Sequence, residues 1–237
     1  QYNYLVSILY VIATPIGNLE DISLRALRIL KEQVNTIYCE DTRVTSKLIN
    51  HFEMSGKKLV SCNKENEHKR IKEIIQCLIN GEDIALCSDA GTPLISDPGS
   101  QLIASLNCFV GARDDIQLVP IPGASSLTAA LSVCPIDTSR FVFEGFLPHS
   151  PQKRRRILRD MTEEKRAIVI FESPHRIVKC LEDIKTILGE REVFLARELT
   201  KKFEQLYFGS VTEIIEQLQS QFPKDIPGEF VVVIASQ

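Results

Sequence analysis

The sequence of 237 residues has no C-x-x-C pair, no H-E-x-x-H, no G-x-S-x-G, no G-x-x-x-x-G-K-[ST] and no G-x-G-x-x-G after an apolar run. These absences leave a zinc ribbon, a zincin, a serine-hydrolase elbow and a nucleotide-phosphate cradle without support. The cysteines number 7, an odd count, and most sit in apolar runs such as Ile84-Ala85-Leu86-Cys87. There Cys acts as a small buried hydrophobe, so a reducing, cytoplasmic setting is expected rather than a disulfide framework. The 4 His are dispersed, and no metal site is expected. Two uncharged stretches, 1–19 and 116–136, are broken by Pro15, Gly17 and Asn18 and by Pro120, Pro122, Gly123 and Pro135. Neither offers the ~20 unbroken apolar residues of a membrane helix. The formal net charge of -3 excludes a polybasic coat, so an acidic partner must meet a local basic patch. There is no repeat of 20–50 residues and no low-complexity segment.

What is present is ordinary globular composition, 44% hydrophobic and 25% charged. Apolar runs predict strands at 8–13, 36–39, 83–87, 117–120, 140–144, 167–171, 192–196 and 230–235. Several are nearly continuous in Val, Ile and Leu, which suits strands covered on both faces. Amphipathic helices lie between them. Ile71, Ile74, Ile75, Leu78 and Ile79 follow one helical stripe, and Ile177, Leu181, Ile184 and Leu188 another, with Ser173 as its N-cap and Gly189 past its end. Ser210-x-x-Glu213 reads as a capping box. This alternation predicts an α/β protein with mostly parallel sheets. The break at Cys134-Pro135 divides it into domains 1–134 and 135–237.

Three bends follow strand C-termini: Thr14-Pro15-Ile16-Gly17-Asn18, then Ser88-Asp89-Ala90-Gly91-Thr92-Pro93 with Ser96-Asp97-Pro98-Gly99, then Pro120-Ile121-Pro122-Gly123-Ala124-Ser125-Ser126. In open α/β sheets ligands bind outside the carboxyl ends of strands. Any one bend is also ordinary turn chemistry; three together point to a ligand site.

The motifs Ala13-Thr14-Pro15-Ile16-Gly17-Asn18-Leu19, Glu40-Asp41-Thr42-Arg43, Ser88 to Gly99, Pro122-Gly123-Ala124-Ser125, Gly145-Phe146-Leu147-Pro148, Glu172-Ser173-Pro174-His175-Arg176, Ala196 to Lys201 and Gly228-Glu229-Phe230-Val231 resemble one family. It is the bacterial small-subunit rRNA cytidine-2′-O-methyltransferases, within the tetrapyrrole-methylase superfamily of class III methyltransferases. The resemblance runs from about residue 9 to 235. It implies two α/β/α domains with S-adenosylmethionine (SAM) in the cleft between them, a homodimer, and 16S rRNA of the small ribosomal subunit as substrate. Members of that family often continue past the Gly228-Glu229-Phe230 motif. The connection 107–115 is looser than the family pattern.

Carried over by motif, the SAM-lining candidates are Pro15, Ser88, Asp89, Gly91, Ile95, Ser125, Ser126, Leu147, Leu199 and Gly228. Asp89 also reads as a turn former, Leu147 as core and Ser125 as an N-cap. SAM has no phosphate, so the missing phosphate loop agrees. Methyl transfer to a ribose hydroxyl needs an aligned oxygen and a group that accepts its proton. Among charged residues at strand ends (Glu40, Asp41, Arg43, Glu172, His175, Arg176, Arg197, Glu198, Lys201), Asp41 or Glu198 is expected to orient the hydroxyl. Lys201, with a pKa lowered by burial, is the alternative base.

Arg43 and Arg176 are expected to clamp RNA phosphate, with His175 beside them. Each also admits a structural ion pair. The remaining RNA contact is expected from Lys153, Arg154, Arg155 and Arg156, with Arg159, Lys165 and Arg166. Residues 153–166 hold seven basic and three acidic side chains, a net +4. Phe146 and His149 stand nearby for stacking on a base.

Overall fold

A computed structural model describes residues 6–97, 99–110 and 113–237. Pro98 of the second bend and Gly111-Ala112 of the 107–115 connection lie outside them. The backbone forms two compact units, one ending at Ser125 and one starting at Ser126.

The first unit runs β1 (Ser7–Ile12), α1 (Leu24–Arg28), β2 (Thr36–Cys39), α2 (Thr42–His51), β3 (Lys58–Ser61), α3 (Glu67–Ile79), β4 (Ile84–Cys87), α4 (Ser100–Val110) and β5 (Ile116–Ile121). Its five strands are parallel, in the order β3-β2-β4-β1-β5. Period-two alternation sends Tyr10, Ile12, Ile37, Cys39, Ala85 and Cys87 to one face, against Ala26, Ile29, Leu48 and Ile49. Leu9, Tyr38, Ile84 and Leu86 go to the other, against Ile74, Leu78, Leu102 and Leu106. Each fully buried Leu or Ile contributes about 1.5–3 kcal/mol of transfer free energy, so two apolar faces per strand hold this sheet. The crossover from β1 goes past β4 to β2, and that from β4 goes past β1 to β5. Adjacent β1 and β4 therefore flank a topological switch point, where the carboxyl ends leave a crevice.

The second unit runs α5 (Ser126–Ser132), β6 (Phe141–Phe146), α6 (Pro151–Asp160), β7 (Ala167–Glu172), α7 (Ile177–Leu188), β8 (Glu192–Arg197), β9 (Gln205–Ser210), α8 (Val211–Gln221) and β10 (Phe230–Ile234). Its strand order is β6-β7-β10-β8-β9. Here the expectation of mostly parallel sheets is corrected. Only β6 and β7 pair in parallel; β10 runs antiparallel between β7 and β8, and β9 antiparallel to β8. The run Phe230–Ile234 is buried throughout, so its composition matches a parallel strand while its direction is set by the connection. No helix intervenes between β8 and β9, and a short return forces antiparallel pairing.

Eight strands lie where the apolar runs predict them. The two others, β3 and β9, are sheet edges with mixed exposure, which weakens the apolar signal. The capping box at Ser210 and Glu213 is present. The N-cap position of α7 is Arg176 rather than Ser173, whose carbonyl instead accepts from the Arg176 and Ile177 amides. Helix α5 packs on β10 and so belongs to the second unit, ahead of the break at 134/135. Among the described residues, no helix is long and apolar enough to cross a membrane.

Candidate active site

In the first unit the three bends meet at the switch point. Thr14 and Gly91 form a two-way backbone bridge, with N···O distances of 2.9 and 3.0 Å. The Thr14 hydroxyl donates to the Ser88 carbonyl at 3.1 Å, and Ser88 Oγ donates to the Gly91 carbonyl at 2.9 Å. Thr92 Oγ1 donates to the Ala124 carbonyl at 3.2 Å, tying in the third bend. The end of β2 joins through the Asp41 amide, which donates to Asp89 Oδ1 at 2.9 Å. Gly91 has a φ of 85°, and a Cβ there would lie 3.3 Å from Ile16 Cγ2, so both the fold of the bend and its closeness select glycine. Leu94 and Ser96 hold φ values of 76° and 68°, a left-handed backbone that costs free energy in non-glycine residues.

This junction gathers carboxylates with little compensation. Burial, then the neighbouring Glu40 and Asp89, push the Asp97 carboxyl up to about 6. Burial and Asp89 raise Glu40; burial and Asp41 raise Asp89. Glu40, Ser88 and Asp97 border a cavity of about 10 Å³, room for about one water. Asp41 differs. Its side chain caps α2 by accepting from the Arg43 amide at 2.8 Å, and the Arg43 guanidinium grips it at 2.5 Å. Those bonds hold its carboxyl down at about 2.

Of the expected site residues, Ser88, Asp89 and Gly91 are thus built into one junction, and Pro15 follows Thr14 in the first bend. Ile95 follows Leu94 with its side chain exposed, and Ser125 precedes α5. Sequence reasoning missed Asp97 as a site residue. Its Asp-Pro-Gly context reads as a turn, and of its partners Asp89 stands eight positions earlier in the same bend while Glu40 comes from the end of β2.

In the second unit, the loop after β8 is tied to the start of β10. Glu198 Oε1 accepts from Lys201 Nζ at 2.9 Å and from the Glu229 amide at 3.0 Å. Lys201 also donates to Glu229 Oε2 at 2.9 Å. Gly228 is required here: a Cβ would lie 2.4 Å from Glu198 Cγ, and φ is 104°. The expectation of a Lys201 pKa lowered by burial is corrected. Burial does lower it, but Glu198 and Glu229 together outweigh that and hold the ammonium charged. Arg197 is buried and bonds the Pro227 and Phe203 carbonyls and Gln205, not a carboxylate.

Three other expectations change. Leu147 is 2% exposed and sits in the helix-side core, so its side chain is packing; its carbonyl accepts from Arg176 Nη2 at 2.9 Å. Arg176 pairs with Glu172, a fully buried carboxylate, at 2.7 Å, an ion pair within the protein, while its Nη1 is buried and finds no partner among the described residues. Arg154 is buried and forms a two-point pair with Asp183, at 2.5 and 2.7 Å, which removes it from the surface. His175, Lys153, Arg155 and Arg156 are exposed; Ser126 opens α5, and Leu199 is buried beside Glu198. A larger groove of about 420 Å³ near Arg140, Lys165 and Arg166 faces equal numbers of acidic and basic groups; of the expected residues it holds only Lys165 and Arg166 of the RNA contact, and none of the SAM-lining or catalytic candidates.

The model of the tetrapyrrole (corrin/porphyrin) methylases matches residues 8–215. This chain belongs to the tetrapyrrole methylase family. It is 45% identical over 229 residues to the ribosomal RNA small subunit methyltransferase I of Thermotoga maritima, covering 97% of this chain and 98% of that protein. To the Synechocystis protein of the same name it is 44% identical, covering 97% of this chain and 79% of that one. Among solved structures, the uroporphyrin III C-methyl transferase of Thermus thermophilus aligns over 96% of this chain and 97% of its own, with a TM-score of 0.63 at 18% identity. A diphthine synthase aligns over 97% and 90%, with a TM-score of 0.68 at 15% identity. These structures share the tetrapyrrole methylase fold with this chain.

Proposed function

We propose that this chain transfers the methyl group of SAM to the 2′-hydroxyl of a cytidine in the decoding region of 16S rRNA. The observation that carries the reading is the near-complete match to proteins named ribosomal RNA small subunit methyltransferase I, with the matched motifs converging at the first unit's switch point. The residues present fit SAM. The junction is lined by backbone and small side chains, and its carboxylates are raised by burial and mutual repulsion, the setting a cationic ligand relieves. Pro15, Ser88, Asp89, Gly91, Ile95 and Ser125 would hold it from the first unit; Ser126, Leu199 and Gly228 supply second-unit candidates. When bound, SAM supplies an electrophilic methyl on a sulfonium sulfur.

The chain's own groups divide the remaining work. Asp41 is ionised across the neutral range and accepts the substrate hydroxyl as a hydrogen-bond donor. Glu198 spends Oε1 on Lys201 and Glu229, which leaves Oε2 as an acceptor. Lys201 positions Glu198 rather than taking a proton. Arg43 turns one edge to Asp41 while remaining 86% exposed, suited to a phosphate. His175, exposed at the start of α7, serves the same backbone. Leu206 and Phe208 on edge strand β9, with Phe203, expose the kind of apolar surface that a homodimer covers. Work on ribosomal particles would take place in the cytoplasm.

The test is transfer of labelled methyl from SAM to purified 30S particles, with the product mapped by mass spectrometry. Label on a cytidine ribose is expected. Label on a base, on protein, or only on an added uroporphyrinogen overturns the assignment.

A further inference from the structure

The basic run at 153–156 divides three ways. Arg154 points inward, 5% exposed at its side chain, and meets Asp183 of α7, itself 4% exposed. Arg155 reaches the same carboxylate with Nε at 2.7 Å while its side chain stays half exposed. Lys153, Arg156 and Arg159 are exposed, and among the described residues none of the three forms an ion pair. They recur every three residues, so they share the outward side of α6, about 4.5 Å apart along the axis. Leu158, buried in the helix-side core, takes the inward side with Arg154. Pro151 sets the start of the helix and Met161 ends it, which gives the row a rigid base.

We infer that Lys153, Arg156 and Arg159 form a ladder that tracks the sugar–phosphate backbone of a single RNA strand, with the buried Arg154–Asp183 pair anchoring the helix that carries it. This rests on the rRNA reading and deepens it, assigning the affinity to three side chains and removing Arg154 from the contact. The argument is one of charge and freedom. A cation already neutralised by a carboxylate releases few counterions when RNA binds, whereas an unpaired exposed one releases them fully. Within α6 the only acidic residue is Asp160, four positions after Arg156 and so on the same side, which leaves the row a net +2. Arg and Lys so spaced recognise phosphate without reading bases, so the ladder fixes the strand while specificity is set elsewhere.

The test uses the full chain and a fluorescent single-stranded RNA 20-mer, titrated by anisotropy from 50 to 300 mM KCl, with SAM binding followed by calorimetry. These salt and length settings are roughly those at which phosphate contacts dominate. For Lys153→Ala/Arg156→Ala/Arg159→Ala, affinity at low salt is expected to fall at least about tenfold and the salt slope to shrink by about 2, at ~0.7 per phosphate contact. SAM affinity and melting temperature should not move. Lys69→Ala/Lys72→Ala, which removes exposed charge from α3, should change RNA affinity less than about twofold. Arg154→Met/Asp183→Leu replaces the buried pair with apolar volume and also releases Arg155, so RNA affinity should stay at the wild-type value or rise by no more than about threefold. An unchanged slope in the triple variant, or a tenfold loss in the Arg154/Asp183 variant with SAM binding intact, overturns the ladder. Wild-type protein that binds SAM but no RNA overturns the rRNA reading with it.

Discussion

The carboxyl ends of the two sheets handle charge in opposite ways. In the first unit, Glu40, Asp89 and Asp97 crowd together, and burial raises all three carboxyls, with Asp89 adding to it on Glu40, Glu40 and Asp89 on Asp97, and Asp41 on Asp89. In the second unit, carboxylates at equivalent strand ends are matched: Glu172 by Arg176, and Glu198 by Lys201 and the Glu229 amide. A site with unspent charge is built to receive a ligand of opposite sign. A site with its charges spent is built to hold a shape. The difference teaches that motif membership alone does not separate receptor from frame, since Glu172-Ser173-Pro174-His175-Arg176 is as distinctive in sequence as Ser88 to Gly99.

The largest expected effect tests the frame. Glu172 is fully buried and accepts from Arg176 and the Ser173 amide. Glu172→Ala would leave a mostly buried guanidinium without its carboxylate, which typically costs about 3–5 kcal/mol. Urea denaturation at neutral pH measures this. A cost below about 1 kcal/mol would mean that the second unit's pairs are no firmer than surface bridges, and the contrast would collapse.

The next effect tests the receptor. The Asp97 carboxyl titrates near 6 in the folded chain, against about 3.9 when unfolded. Between those values the folded state binds more protons, so stability falls as pH rises from about 4 to 6 and is flat above. Asp97→Asn removes that slope. It should stabilise the protein by about 1–2 kcal/mol at pH 7.5 while leaving it little changed at pH 4, the figure being discounted for partial exposure. SAM affinity should move the other way, weakening in the variant and, in wild type, strengthening from pH 5 to 7.5. An Asp97→Asn variant that is destabilised at pH 7.5 would show that the carboxylate is a structural anchor.

How far the sequence reached follows the same division. Buried strands announce themselves by composition, so four of the first unit's five strands and its three bends were legible, as was the Ser210 capping box, while the partly exposed edge strand β3 was not. Strand direction was not, because Phe230–Ile234 carries no polar side to mark it. The junction was legible where it rests on backbone and small residues, as at Ser88 and Gly91. The chain was opaque where it rests on which charge meets which. Nothing in the run Lys153-Arg154-Arg155-Arg156 reveals that Asp183, 29 positions from Arg154, claims one of them. Nothing near Lys201 reveals that Glu229, 28 positions on, keeps it protonated.

The smallest effect sharpens the comparison at its boundary, where Asp41 sits in the first unit but is paired like a second-unit residue. Its partner is exposed and only two positions away, so the pair is local and open to water. An exposed pair of this kind holds a side chain in place without holding the fold. Arg43→Ala should therefore barely change the melting temperature. It should raise the Asp41 carboxyl from about 2 toward the ordinary aspartate range, because the hydrogen bonds from the Arg43 side chain are the main cause of its depression. The Arg43 amide remains as a donor after the substitution, so the return should be incomplete. Carbon-detected NMR titration of the Asp41 carboxyl from pH 1.5 to 6 reads it directly, over roughly the window in which carboxylates titrate. A midpoint that stays near 2 would assign the depression to the helix N-terminus and its amides instead, and would detach Asp41 from Arg43 as a functional pair.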